Sequence, residues 1–235
     1  MEQYMRIPST ARTQDAERSR VQCVLFDLDG TLVDTAPDLG GSANYVRAQL
    51  GLPPLPIDDY RPFASAGARG LLGKAIGIQP DDTAFPAHRD TFLNHYRANL
   101  SKASSLFPGM EELLATMEQR GIRWGVVTNK PSWLTNPLMQ ELQLSQRSAC
   151  TVSADEVTKP KPAPDSILLA CSQIKLSPND CVYVGDDKRD IDAGRAAGMK
   201  TIAADWGYLG EAGPIHTWGA DLIASTPTDI VKLLA

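Results

Sequence analysis

Val21-Gln22-Cys23-Val24-Leu25-Phe26 runs directly into Asp27-Leu28-Asp29-Gly30-Thr31-Leu32-Val33-Asp34, and this junction decides the fold. The first six residues form a strand-length, mostly apolar run, closed by an acid. Three later runs share that grammar: Ile122 to Val127 before Thr128, Asp180 to Val184 before Gly185-Asp186, and Lys200 to Ala204 before Asp205. Ser148 to Val152 is a weaker fifth. Helical segments separate them. Met110, Leu113, Leu114 and Met117 make an apolar stripe, and 164–174 and 190–197 read the same way. Gly121 and Gly198 stand between helix and strand, where a left-handed helix cap is expected. The alternation predicts an α/β fold: a doubly wound, Rossmann-like parallel sheet with right-handed crossovers.

Between Thr35 and about Ser104 the grammar changes. No run there is a convincing strand, while 39–50, 66–76 and 83–100 read as helices, with a proline-rich break at Gly51 to Pro56. An all-helical stretch this long cannot be an ordinary strand-to-helix connection. The expected organisation is therefore a small all-helical second domain over 36–104, inserted into an α/β core made of 21–35 and 105–235. Hinges are expected near Thr35-Ala36-Pro37 and Leu106-Phe107-Pro108-Gly109. Residues 1–20 hold four Arg, two Glu and one Asp without an apolar run, so they read as a disordered tail and not as a secretory leader.

The chain has 235 residues, with Lys+Arg 23 against Asp+Glu 28 and a net charge of -5. That balance argues against non-specific binding to nucleic acid or anionic membranes. With 6% aromatic residues and no interleaving of aromatic and basic side chains, a single-strand stacking platform is not expected either. No stretch approaches the ~18 apolar residues of a membrane span. The four cysteines, Cys23, Cys150, Cys171 and Cys181, show no CxxC spacing and read as free thiols in a reducing cytoplasm.

Chemistry concentrates where the apolar runs end. Asp27 and Asp29 would leave the carboxyl edge of the sheet two residues apart, at the edge where doubly wound folds bind ligands. Gly30 lets the backbone come close to a ligand. Two such carboxylates repel unless a cation or a shared proton compensates. Gly185-Asp186-Asp187-Lys188-Arg189-Asp190 puts three more acids after another strand, which suggests a magnesium-type oxygen site. Thr128-Asn129-Lys130 offers a hydroxyl and an amide at the same edge, and Lys159-Pro160-Lys161-Pro162-Ala163-Pro164-Asp165 holds a lysine before a helix. Each has a bland reading alone. Together they supply the nucleophile, metal site, hydroxyl and cation that phosphoryl transfer needs.

On four ordered motifs, DLDGTLVDT (27–35), VVTNK (126–130), KPAPD (161–165) and VGDDKRDIDAGRAAG (184–198), the chain resembles the haloacid dehalogenase superfamily. Within it, the resemblance is to phosphatases with an inserted helical cap, which makes the helical domain over 36–104 that cap, and it runs from about Val21 onward. It implies Asp27 as nucleophile and Asp29 as general acid/base. It implies Mg2+ held by Asp27, the main-chain carbonyl of Asp29 and Asp186, with Asp190 in support. Thr128 and Asn129 would bind phosphate, and Lys161 would bridge nucleophile and phosphate, with Lys159 the other choice. Asp187 stands where the family often has Ser or Thr, so metal ligation could be shared differently among Asp186, Asp187 and Asp190. Asp29 favours phosphate monoesters over haloalkanoates, for which the family usually has an aromatic residue there.

Within Ser65 to Leu72, Arg69 is the candidate for an anionic group of the substrate. The cap segment is similar to that of phosphoglycolate phosphatases. GARGLL, WGVVTNKP and GDDKRDI look closer to the N-acetylmuramic acid 6-phosphate phosphatases of cell-wall recycling. The expectation is a cytoplasmic enzyme, monomer or homodimer, acting on a small phosphorylated metabolite with no nucleic-acid or membrane partner. The alternatives are a phosphomutase of the β-phosphoglucomutase type and a non-catalytic binding or regulatory module.

Overall fold

The computed structural model describes residues 21–233, so the expected tail over 1–20 lies outside the described residues. In chain order, β1 (Cys23–Phe26) is followed by a short β2 (Val33–Asp34) and four helices: α1 (Ala36–Gln49), α2 (Arg61–Ala64), α3 (Gly67–Ile76) and α4 (Phe85–Arg97). β3 (Ser105–Leu106) then leads to α5 (Met110–Gln119), β4 (Arg123–Val127), α6 (Ser132–Glu141) and β5 (Thr151–Val152). α7 (Asp165–Ile174), β6 (Cys181–Gly185), α8 (Lys188–Ala196), β7 (Lys200–Ala204), β8 (Leu222–Ala224) and α9 (Pro227–Leu233) complete the described chain. No helix among the described residues is long and apolar enough to cross a membrane.

The main sheet has the order β5-β4-β1-β6-β7-β8, and every neighbouring pair is parallel. This is the α/β doubly wound sheet expected from the alternation of elements. Side-chain alternation along β1 feeds two separate cores. Val24 and Phe26 join the larger apolar cluster, with Trp124, Val126, Val184 and the buried stripe of α5. Cys23 and Leu25 face the other cluster, with Val127, Tyr183 and the α7 residues Ile167, Ala170, Cys171 and Ile174. Covered on both faces, β1 is entirely buried, which explains why its sequence is a continuous apolar run. All four cysteines are free and buried.

Strand order reverses at β1, which lies between β4 and β6. Phe26 is level with Val126 on one side and with Val184 on the other. The next residues along each strand, Asp27, Val127-Thr128 and Gly185-Asp186, therefore emerge together at the carboxyl edge, where such sheets bind ligands.

Three features depart from the sequence reading. α6 forms despite Pro137 in its interior, a residue that ordinarily breaks a helix and hides the pattern. β2 and β3 pair antiparallel, Val33 with Leu106 and Asp34 with Ser105, so the two chain passages into and out of the helical stretch are stitched side by side. β8 carries exposed Leu222 and Ile223 at the end of the sheet, and its short run has no alternation to betray it.

Candidate active site

The turn after β1 is held tightly. Gly30 has φ +90, and a Cβ there would fall 2.3 Å from Asp186 Oδ2 and 2.7 Å from the Tyr208 ring, so only glycine fits. This close approach lets Thr31 Oγ1 donate to Asp186 Oδ1 at 2.7 Å. The Tyr208 amide donates to Asp186 Oδ2 at 2.8 Å, so both oxygens of this fully buried carboxylate are held. Asp190, in the first turn of α8, takes the Asp187 amide on Oδ2 at 3.0 Å. Asp187 caps the same helix and pairs with Arg189 at 2.8 Å. Asp187 is thereby committed to the helix end, while Asp27, Asp186 and Asp190 converge, each offering a carboxylate oxygen within 4.8 Å of the others.

Among the described residues, one cation pairs with this cluster. Lys161 Nζ lies 2.7 Å from Asp190 Oδ1 and 2.9 Å from Asp27 Oδ1. It also donates to the Val127 carbonyl at 2.9 Å and to the Tyr183 hydroxyl at 2.8 Å. Of the two lysines left open by the sequence, Lys161 is buried at this centre and Lys159 is exposed. Burial works against the Lys161 ammonium, but Asp190 and Asp27 outweigh it and its pKa is raised. Burial also pushes the Asp27 carboxyl up to about 7, against the pull of Lys161 and helped by Asp190. Asp186 rises well above the ordinary carboxylate range, first through burial and then through Asp27 and Asp190.

Three buried acids with one ammonium leave negative charge uncompensated. Asp27 Oδ1 is buried without a hydrogen bond, since its approach to Lys161 is an ion pair without hydrogen-bond alignment. Hard oxygen donors, close together and with an orphaned oxygen among them, fit a divalent cation of the magnesium type. Asp29 adds no carboxylate oxygen to this cluster. Its Oδ1 accepts from Thr35 Oγ1 at 2.6 Å and from Lys130 Nζ at 2.9 Å.

Thr128 is buried at the end of β4, and its hydroxyl accepts from the Lys130 amide at 3.1 Å. Asn129 donates to the Lys161 carbonyl at 2.8 Å and leaves its own Oδ1 buried without a partner. Asp27, Asp29, Thr128, Asn129, Lys161 and Asp190 all line one cavity of about 530 Å³ between the sheet edge and the helical stretch. Its apolar lining comes from Leu39, Phe92 and Leu93 of the helical stretch and from Trp133 and Leu134 of α6. Asp186 lies beneath it, fully buried.

Arg69 is not brought to this cavity. It is exposed on α3, and the arginines that line the space are Arg89 of α4 and Arg189 of α8. Arg189 also crosses to the helical stretch, donating to the Ser65 carbonyl at 2.8 Å. Lys130 is the other residue the sequence reading passed over. It directly follows Thr128-Asn129 at a strand end, which was the available signal. Its partners, Asp29 and Tyr96, lie 101 and 34 residues away along the chain.

Residues 24–204 match the family model for haloacid dehalogenase-like hydrolases. The chain is 43% identical over 219 residues to the N-acetylmuramic acid 6-phosphate phosphatase of Pseudomonas aeruginosa, covering 93% of this chain and 96% of that one. It is 41% identical to a phosphoglycolate phosphatase of Xanthomonas campestris pv. campestris, covering 89% and 94%. The crystal structure of a predicted phosphoglycolate phosphatase from Haemophilus somnus 129PT superposes with a TM-score of 0.80 at 27% identity, covering 91% and 98%. With a matching model over most of its length and relatives of this identity aligned nearly end to end, the chain belongs to the haloacid dehalogenase-like hydrolases.

Proposed function

We propose that the chain is a magnesium-dependent phosphatase for a small phosphate monoester, working through an aspartyl-phosphate on Asp27. N-Acetylmuramic acid 6-phosphate is the leading substrate, and 2-phosphoglycolate is the other. The observation that carries the reading is the meeting of Asp27, Asp29, Thr128 and Lys161 on one cavity, above the acid cluster with Asp186 and Asp190.

In this mechanism the phosphate is gathered by the Thr128 hydroxyl, the Asn129 amide and the Lys161 ammonium. A carboxylate oxygen of Asp27 attacks phosphorus; the new O–P bond forms as the ester O–P bond breaks. Asp29 gives its proton to the departing alcohol oxygen. The alcohol leaves, and Asp29 then accepts a proton from a water whose oxygen attacks the same phosphorus. The Asp27 oxygen is released as a carboxylate, and inorganic phosphate departs. Asp27, the Asp29 carbonyl, Asp186 and Asp190 would hold Mg2+, which when bound offsets the repulsion between anionic nucleophile and phosphate. The helices over 36–104 act as a cap that shuts the cavity from bulk water.

The cavity favours the larger substrate. A two-carbon phosphate would leave most of the roughly 530 Å³ unfilled, whereas an acylated sugar can lie against Phe92, Leu93 and Trp133. Both candidate substrates carry a carboxylate, and Arg89 takes over from Arg69 as the cap cation available to it. The four free cysteines support a reducing compartment such as the cytoplasm.

The test is phosphate release from both compounds side by side with Mg2+. The expected result is a kcat/KM for N-acetylmuramic acid 6-phosphate at least about tenfold above that for phosphoglycolate. An isomeric sugar phosphate in place of inorganic phosphate would make the protein a mutase. No release from a broad panel of phosphate monoesters would make it a binding module.

A further inference from the structure

A buried link runs from the helical cap to Asp29 through one lysine. Lys130, just past β4, has a side chain only 6% exposed. Its ammonium donates to Asp29 Oδ1 at 2.9 Å and to the hydroxyl of Tyr96 on α4 at 2.9 Å. The Tyr96 ring itself is 4.7 Å from the same nitrogen, and the residue is 1% exposed. A buried ammonium is tolerated only where partners compensate it, so both contacts are needed to keep Lys130 in place. Asp29 and Tyr96 together hold Lys130 charged even though burial works against the ammonium.

The effect on Asp29 is asymmetric. Its Oδ1 takes two donors, Thr35 Oγ1 from the residue before α1 and Lys130 Nζ from the residues after β4. Among the described residues no hydrogen bond reaches its Oδ2. One oxygen is clamped and the other is left open beside the cavity that Asp29 lines.

We infer that Lys130 and Tyr96 are positioning residues for Asp29: the Tyr96 hydroxyl fixes the Lys130 ammonium, and the ammonium fixes the carboxyl so that Oδ2 is the oxygen that trades the proton. The inference rests on reading Asp29 as the acid/base. Neither residue needs to touch the substrate for this role. Tyr96 acts only through Lys130, so its effect disappears once Lys130 is gone.

The experiment is steady-state kinetics on the full chain with Mg2+, using the phosphate monoester hydrolysed fastest in the panel above. The variants are Tyr96→Phe, Lys130→Met, the double variant and Asp29→Asn. Tyr96→Phe keeps the ring and removes one hydrogen bond to a charged group, so kcat should fall about tenfold while KM stays within about twofold. Lys130→Met should lower kcat further, and adding Tyr96→Phe to it should cost nothing more. Unchanged kcat in Tyr96→Phe overturns the inference. So does a raised KM at unchanged kcat, which marks a substrate contact, or full additivity in the double variant. Should Lys130→Met fail to fold, the kcat and KM of Tyr96→Phe decide alone. Asp29→Asn separates the two claims. If it retains wild-type turnover, the acid/base reading fails; if it is dead while Tyr96→Phe is normal, only the positioning role fails.

Discussion

Replacing Lys161 with Met keeps an unbranched side chain and removes the only ammonium, among the described residues, that pairs with the acid cluster. The Lys161 side chain is 2% exposed and meets Asp190 at 2.7 Å and Asp27 at 2.9 Å. Removing one partner of a buried pair costs about 3–5 kcal/mol, because the other charge is left uncompensated. For a chain of this size each kcal/mol corresponds to roughly 2–4 °C, so Tm should drop by roughly 6–20 °C near pH 8 in chelator. The drop should depend on pH. Burial already pushes Asp27 up to about 7 and Asp186 well above the ordinary range. As pH falls to about 5.5 these acids take up protons, the charge that needs Lys161 diminishes, and the deficit shrinks. Thermal unfolding followed by circular dichroism, wild type against variant at both pH values, measures this directly. A Tm loss under about 2 °C at the higher pH, or an equal loss at both, would refute the electrostatic account of the cluster.

A Cβ on Gly185 would sit 2.3 Å from Asp190 Cβ, so Gly185→Ala should displace Asp190, weaken Mg2+ binding in calorimetry and cost ~1–3 kcal/mol of stability. Gly41→Ala, inside α1 with nothing within 4 Å, should instead stabilise the protein by ~0.5–1 kcal/mol in the same unfolding assay. The folded pKa of Asp27 is raised from 3.8 to about 7, so between those values the folded chain binds more protons than the unfolded one. The metal-free protein should therefore lose stability as pH rises through that window. Mg2+ held by Asp27 would compete with those protons, so the Tm it adds should be larger above pH 7 than below pH 5 in paired melts with and without the ion.

The sheet was legible because its central strands are buried on both faces. β1, β4, β6 and β7 appear as apolar runs ended by polar residues, and β7 (Lys200–Ala204) has the bounds read from sequence. Elements without that signature were not visible. β2 and β3 are two residues each and exist only because Val33 meets Leu106 and Asp34 meets Ser105 from far along the chain; α6 is masked by Pro137. At the site, the acids could be read because they closely follow the ends of β1 and β6, and parallel register carries strand ends to one edge. The choice between Lys159 and Lys161 could not, since it depends on which lysine the chain folds beneath Val127 and Tyr183. Arg69 and Arg89 show the same limit. Both are cations on helices of the 36–104 stretch, and only the way α4 packs on α1 and α3 brings Arg89 to the cavity. Lys130 and Tyr96 matter through each other, and no local pattern links positions that meet only when the helical stretch folds over the core.

The central claim is that Asp27 becomes covalently phosphorylated during turnover. The most direct measurement is rapid acid quench of the enzyme with substrate and Mg2+, followed by peptide mass spectrometry. The account predicts one phosphoryl group on the peptide carrying Asp27, formed and lost at rates compatible with kcat, and absent from a folded but inactive Asp27→Asn variant. A phosphoryl group on another residue, or an Asp27→Asn enzyme that turns over like the wild type, would contradict it.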